Sequence, residues 1–455
     1  LQSHAAAMWR YYEELCTPED HWLPPDNMQE APVTVTAHRT SPTNIGLAML
    51  STMAAYDFGI IDQDAMVTRL THMADTIQRL EQWNGNLLNW YDTLTLRPLT
   101  PRYVSCVDSG NFVCCLVSLK EGLKERSGDN RLHNLIQRLE DIINNTDLSV
   151  FYNARRRLLH IGYDLESDRL SGSYYDLLMS EARMTSYFAV ASRQVPKKHW
   201  GALGRTLARQ GRYAGPVSWT GTMFEYFMPY LVLPSYEGSL GYEALRFCTY
   251  CQRRRTKGIA PWGISESGFY AFDPQLNYQY KAHGVQKLGL KRGMDSELVI
   301  SPYSTYLTLP FEPQKALRNL QRLGEMDITG RYGMYEAADF TVKRRLSGSD
   351  YAVVRSYMAH HVGMSLVAIA NLLYDGVFQR RFLRDGRMSS AVELLEEKAP
   401  AGTVVFDDVE HRPIPQKPSR TMDKKEEYQV ISPLNPRMHL LQNDQWTLAV
   451  TDGGA

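Results

Sequence analysis

From Ile45 to about residue 395, apolar residues recur at the three- and four-residue spacing of helices with one buried face. No other feature narrows the fold so far. Ile45, Ala48, Met49, Thr52, Met53 and Tyr56 form one such face, and Met66, Leu70, Met73, Ile77 and Leu80 a second. Phe112, Leu116, Leu119 and Leu123 repeat it, followed by Leu132, Leu135, Ile136, Leu139, Ile142 and Ile143. The spacing predicts helices in antiparallel pairs joined by polar loops.

A second regularity refines the first. Polar, small and aromatic residues cluster at the start of alternate helices, in the runs 38–44, 107–111, 173–176, 218–222, 262–267, 301–304 and 357–361. Ser, Thr, Asp and Asn are ordinary helix caps. Caps alone do not call for the Trp, Tyr, Glu and His found beside them. The pattern predicts an all-α toroid of about six helical hairpins, residues 1–397, whose inner helices open onto one cavity. One short β-hairpin is expected at Ser149–Leu165. Residues 398–428, rich in Pro and charge, read as a linker. Residues 429–455 read as the first strands of a following β domain, which makes the chain a piece excised from a longer one.

Composition selects among ligands. Fifty basic and fifty acidic side chains cancel, with no basic block, so the footprint of a nucleic-acid binder is missing. The 27 Tyr and 8 Trp suit a sugar, whose flat C–H faces stack on rings, although most such residues fill helix contacts. Cys248 and Cys251 form a C-x-x-C without a second pair, so they read as apolar helix positions, and no metal or cofactor is expected. No apolar run reaches the 18 or so residues of a membrane span.

Glycosidic cleavage needs one carboxyl that protonates the leaving oxygen and a second that attacks the sugar or activates water. The acid stays protonated near neutral pH only in apolar or anionic surroundings. Four glutamates among aromatic and small residues meet that condition: Glu181, Glu225, Glu266 and Glu336. Glu181 is placed on a helix, with Arg183 on another face. Asp92 and Asp108 are further candidates, Asp108 reading first as a helix cap. His360 and His361 can bind sugar hydroxyls but diverge too far on a helix to share a metal. The run around Ser265 lacks the setting of a nucleophile elbow.

These motifs resemble the glycoamylase-like region of cyclic β-1,2-glucan synthases over about residues 8–395. The likeness rests on the runs His38–Gly46, Asn89–Thr93, Val107–Asn111, Ser173–Arg183, Trp262–Ser267, Met334–Ala337 and Tyr357–His361. It implies an (α/α)6 toroid that cleaves linear β-1,2-glucan internally and closes it into a ring through a covalent glycosyl intermediate. Carried over by motif, Glu181 is the general acid/base and Glu266 the nucleophile, with carboxyls about 5 Å apart as retention requires. Arg39, Trp90, Asp92, Asp108, Tyr175, Trp219, Glu225, Trp262, Glu336, His360 and His361 are then expected to bind substrate. The resemblance further implies glycosyltransferase and phosphorylase-like neighbours on the same polypeptide and a cytoplasmic site on an inner-membrane-anchored bacterial synthase. Two alternatives stay open: a hydrolytic endo-β-1,2-glucanase, and a glucan-holding module without catalysis.

Overall fold

The computed structural model describes residues 1–126, 130–346, 348–399, 438–442 and 446–451. Its helices are α1 (Gln2–Leu15), α2 (Pro42–Asp57), α3 (Gln63–Arg79), α4 (Cys106–Leu123), α5 (Asn130–Asn145), α6 (Arg183–Ala191) and α7 (Lys198–Ala202). They continue as α8 (Met223–Phe227), α9 (Leu240–Thr256), α10 (Pro302–Leu307), α11 (Pro313–Gly324), α12 (Ala359–Leu373) and α13 (Val377–Arg384).

Side-chain caps set several of the helix starts. Ser41 accepts from the Asn44 amide ahead of Pro42, Asp62 from Ala65, Ser105 from Asp108, and Ser239 from Tyr242. Sequence also sorts the helices by depth. α2, α4 and α12 are apolar or small nearly all round and are buried along most of their length. α3, α5 and α11 bury one stripe and keep polar outer faces. α2 packs on α4 and α12, α4 on α6, α12 on α10, and α10 on α8. The outer helices α3, α5, α9 and α11 back onto α2, α4, α8 and α10 in turn.

Small residues let the inner helices approach closely. A Cβ on Gly46 of α2 would stand 3.1 Å from Cys115 Cβ of α4. One on Gly363 of α12 would stand 2.9 Å from Leu47 Cβ of α2.

The sequence pattern anticipates one hairpin, and it forms: Tyr152–Asn153 pairs with Leu158–His160. The described residues hold many more short strands. A five-stranded sheet runs Arg169–Leu170, Gly162–Asp164, Pro98–Ser105, Asn89–Asp92, Arg39–Thr40. A second sheet joins Val35–Thr36, Asn27–Gln29 and Ser356–Met358, and a third Val299–Ile300, Ala337–Asp339 and Ala352–Val354. Ser267–Phe272 pairs with Tyr278–Lys281. Strands of two to four residues are too short for an alternation to register in sequence. Their placement is regular nonetheless, because Arg39–Thr40, Pro98–Ser105, Val299–Ile300 and Ser356–Met358 each feed the start of an inner helix. The polar clusters therefore sit at strand-to-helix junctions.

Of the expected linker only 398–399 is described, and of residues 429–455 only the hairpin Met438–Gln442 with Thr447–Thr451. The remainder of both segments lies outside the described residues. Cys248 and Cys251 are buried on α9. No single helix among the described residues is long and apolar enough to cross a membrane.

Candidate active site

A cavity of about 610 Å³ opens where the junctions meet. Its lining includes six of the residues expected from sequence: Arg39, Trp90, Asp108, Glu181, Glu266 and His360. Glutamates 85 positions apart in the chain thus face one space.

Glu181 is not on a helix. It occupies the turn that precedes α6, whose first residue is Arg183. Ser180 shapes that turn: its carbonyl accepts from the Arg183 amide, and its hydroxyl takes the Ala182 amide and reaches the Glu181 carboxylate at 3.3 Å. Arg183 points away, stacked over the Tyr230 ring and donating to the Tyr226 carbonyl. It does not neutralise Glu181.

Glu266 sits just ahead of the strand Ser267–Phe272, in a segment held from three sides. Gln252 on α9 exchanges two hydrogen bonds with the backbone of Ile264, at 2.8 and 2.9 Å. The Phe224 amide donates to the Ser265 hydroxyl, which bonds the Tyr303 hydroxyl, and Tyr303 in turn donates to the Glu266 carbonyl. Gly263 adopts φ +138°, and a Cβ there would stand 2.8 Å from Ser304 Oγ, so only glycine fits.

Both carboxyls reach the cavity yet are enclosed by protein, and burial is the main force on each. It pushes Glu181 up to about 8, helped by the charges of Glu225 and Glu266. Glu266 is pushed up to about 7 by burial, then by Glu225, with Asp108 and Glu336 adding and a Tyr280 hydrogen bond opposing. The charged groups acting on the pair are carboxylates, so a proton is retained near neutral pH and sits preferentially on Glu181.

Asp108 is not the cap of α4, because Ser105 fills that place. Its carboxylate instead faces the cavity, accepting from Thr43 at 2.6 Å and Asn89 at 3.1 Å. Burial raises its pKa against those hydrogen bonds. Arg39 lies over the Trp90 ring, its centre 5.3 Å away, and is steered there by the buried Asp26 carboxylate.

Other expected residues have different occupations. Glu225 lies beneath the cavity as the third residue of α8. It accepts from Ser218, Thr220 and Thr222, forming a capping box with Thr222, so its oxygens are taken. Its charge still acts on both glutamates. The Asp92 carboxylate is consumed in a turn, bonding the amides of Leu94 and Thr95. Trp262 is a core residue beneath Glu266 rather than a sugar platform, its backbone held by Asn319. Trp219 is 45% exposed, with its indole N–H fixed to Asp176. Tyr175 is partly buried, close enough to Glu181 to feel its charge. Glu336 and His361 lie behind the cavity lining, bonded to each other at 2.9 Å.

Several cavity residues went unread in the sequence: Asp26, Asn27, Gln29, Asp273, Asn277, Tyr278 and Tyr280. The alternation Tyr278-Gln279-Tyr280 was a signal, since it sets both rings on one face of a strand. Asp26 gave little sign of itself, because its importance comes from contacts with distant Asn44 and Arg39. Among the described residues no cluster of His, Cys, Asp and Glu has the geometry of a metal site.

A mainly helical fold carrying paired, charge-isolated glutamates in an aromatic-edged cleft has the make-up of a glycan-processing enzyme. Residues 173–385 match the Glycoamylase family model, and with the synthase relative that aligns over the whole chain this bears out the likeness read from the motifs. The chain is 33% identical to the cyclic β-(1,2)-glucan synthase NdvB of Rhizobium meliloti, in an alignment that takes in 100% of this chain and 20% of the synthase. The chain thus spans about a fifth of that relative's length. Its fold is that of the endo-β-1,2-glucanase from Chitinophaga pinensis (TM-score 0.69, 15% identity, 87% of this chain and 97% of the other). The β-1,2-glucanase of Parabacteroides distasonis shares it as well (TM-score 0.70, 15% identity, 87% and 59%).

Proposed function

We propose that the cavity is the catalytic cleft of a retaining β-1,2-glucan transglycosylase, with Glu266 as nucleophile and Glu181 as general acid/base. The observation that carries this reading is the pair itself: two enclosed carboxyls in one cavity, with carboxylates as the charges that act most strongly on them. In the first step a Glu266 oxygen attacks C1 of the scissile sugar while Glu181 gives its proton to the departing O2. The product is a glycosyl ester on Glu266 and a freed chain end. In the second step the Glu181 carboxylate takes the proton from a 2-hydroxyl at the non-reducing end of the same glucan. That oxygen attacks C1, and Glu266 departs as a carboxylate. No water is consumed, and the ring has the anomeric configuration of the linear chain.

The surrounding architecture fits this reading as an (α/α)6 toroid. α2, α4, α6, α8, α10 and α12 would form the inner ring, with every junction loop opening toward the cleft. Likeness to the synthase supports transfer and a place in a longer polypeptide, since the match takes in 20% of that relative. Glycosyltransferase and phosphorylase-like neighbours in a membrane-anchored bacterial synthase are proposed on the motif resemblance alone. Likeness to the glucanase folds keeps hydrolysis as the second reading.

Incubating the purified chain with linear β-1,2-glucan and weighing the products separates the two. Products lighter than the linear chains by one water mean ring closure, and shortened linear chains mean hydrolysis. Glu181→Gln and Glu266→Gln should each abolish either outcome. Unchanged ring formation by the longer synthase carrying these substitutions would leave this chain only a glucan-holding role.

A further inference from the structure

Behind Glu266 stands a hydrogen-bonded chain with no role in the two steps above. The Gly268 amide, two residues beyond Glu266, donates to Glu336 Oε1 at 3.1 Å. Glu336 Oε2 lies 2.9 Å from His361 Nδ1. The His361 ring is stacked flat on Tyr303, centroids 3.6 Å apart, so it cannot turn away. Its Nε2 lies 3.4 Å from the Tyr280 hydroxyl, and His360 Nε2 is at the same distance. Tyr280 pairs with Gly268 across the strands and lines the same cavity as Glu266, close enough for its hydroxyl to hold the Glu266 carboxyl down against the effect of burial.

We propose that Tyr280 is a positioning residue for Glu266, and that Glu336 and His361 set the direction in which its single hydroxyl proton points. The inference rests on the reading of Glu266 as nucleophile. Two arrangements of the chain are chemically complete. With Glu336 protonated, its O–H donates to His361 Nδ1, and His361 Nε2–H then donates to the Tyr280 oxygen. With His360 also carrying its proton on Nε2, the Tyr280 proton is left to Glu266. With Glu336 ionised, His361 carries its proton on Nδ1, its bare Nε2 accepts from Tyr280, and Glu266 loses the donor. Burial keeps Glu336 protonated up to about 8 and holds His361 neutral. The first arrangement therefore prevails where Glu181 is also protonated. A hydroxyl bonded to the charged form of Glu266 stabilises that form and fixes its lone pairs toward the cleft.

The charged and titratable groups facing Glu266 are Glu181, Glu225, Asp108, Glu336, Tyr280 and Tyr303. Those facing Tyr280 are Glu266, Tyr303, Glu336, Asp26, His360 and His361. Within both sets Tyr280 is the hydroxyl that favours the charged form of Glu266.

The test reads Glu266 directly. Its side-chain carboxyl is titrated by 13C NMR in labelled protein, with the resonance assigned by its loss in Glu266→Gln. Tyr280→Phe should raise the midpoint by about one pH unit, and the acid limb of kcat/KM on linear β-1,2-glucan should move with it. That is an approximately tenfold loss at a pH one unit below the midpoint. Glu336→Gln should cause no rise, because the amide locks the first arrangement by donating to His361 and accepting from Gly268. An unmoved midpoint in Tyr280→Phe, or an equal rise in Glu336→Gln, overturns the proposal. Should Tyr280→Phe fail to melt cooperatively, Tyr280→3-fluorotyrosine keeps the shape and strengthens the donor. It must lower the midpoint, and no change counts against the relay. The titration needs no substrate, so a shifted midpoint in a chain inert toward β-1,2-glucan would sink the substrate reading and leave the relay standing.

Discussion

Two glutamates of the same chemistry differ here only in what surrounds them. Burial raises both, and the neighbouring carboxylates leave Glu181 near 8 and Glu266 near 7. The proposed mechanism needs Glu266 ionised and Glu181 protonated. The rate should therefore fall below about pH 7 as Glu266 gains its proton, and above about pH 8 as Glu181 loses its own. Glu225 raises both values by its charge, so Glu225→Gln should move both limbs of the kcat/KM profile toward acid, by roughly half a unit or more. Its capping role adds a separate cost to α8 of about 1 kcal/mol, readable in the thermal midpoint. A profile that stays in place would mean that Glu225 only caps. Both glutamates were legible in the sequence, because their immediate neighbours are small and uncharged. The occupations of Glu225, Asp92 and Trp262 were not. A carboxylate in a Gly- and Thr-rich turn looks the same in sequence whether its oxygens face a ligand or their own backbone.

Elements transmit position to these residues. α6 carries the turn of Glu181, and it meets α4 where Gly110 lies against Thr185. A Cβ on Gly110 would stand 1.9 Å from Thr185 Oγ1 and 2.4 Å from its Cβ, a contact no rotamer relieves. Gly110→Ala should push α6 outward. The expected loss is about 1–3 kcal/mol of stability, with kcat falling about tenfold or more as Glu181 leaves its place. Equal stability and rate in the variant would show that α6 does not set the geometry of Glu181. The long helices were readable from their period, α3 and α5 in particular, since each buries one stripe over four or more turns, whereas α2 and α4 are buried nearly all round rather than on the single face expected. The short strands at the junctions were not. They are held by pairing with partners far along the chain, such as Asn27–Gln29 with Ser356–Met358, and distant partners leave no local pattern.

At the scale of the whole molecule, the cavity is built by segments from residue 26 to residue 360, so nearly the entire helical body is needed to assemble it. Asp26 illustrates the closure. Its side chain holds Asn44 at the start of α2 and Arg39, while its carbonyl accepts from Ala359 at the start of α12. First and last inner helices are thereby tied at the cleft. In the proposed reaction the chemistry is carried by the division of labour between the two glutamates, and azide rescue reads that division directly. With Glu266→Ala and azide, the small anion enters from the side the carboxylate has left, and NMR of the anomeric proton should show an α-glycosyl azide. With Glu181→Ala and azide, a β-glucoside whose aryl leaving group departs without a proton still forms the ester on Glu266, and the azide product should be β. Inversion by the unaltered chain, or the same azide anomer from both variants, would contradict the account.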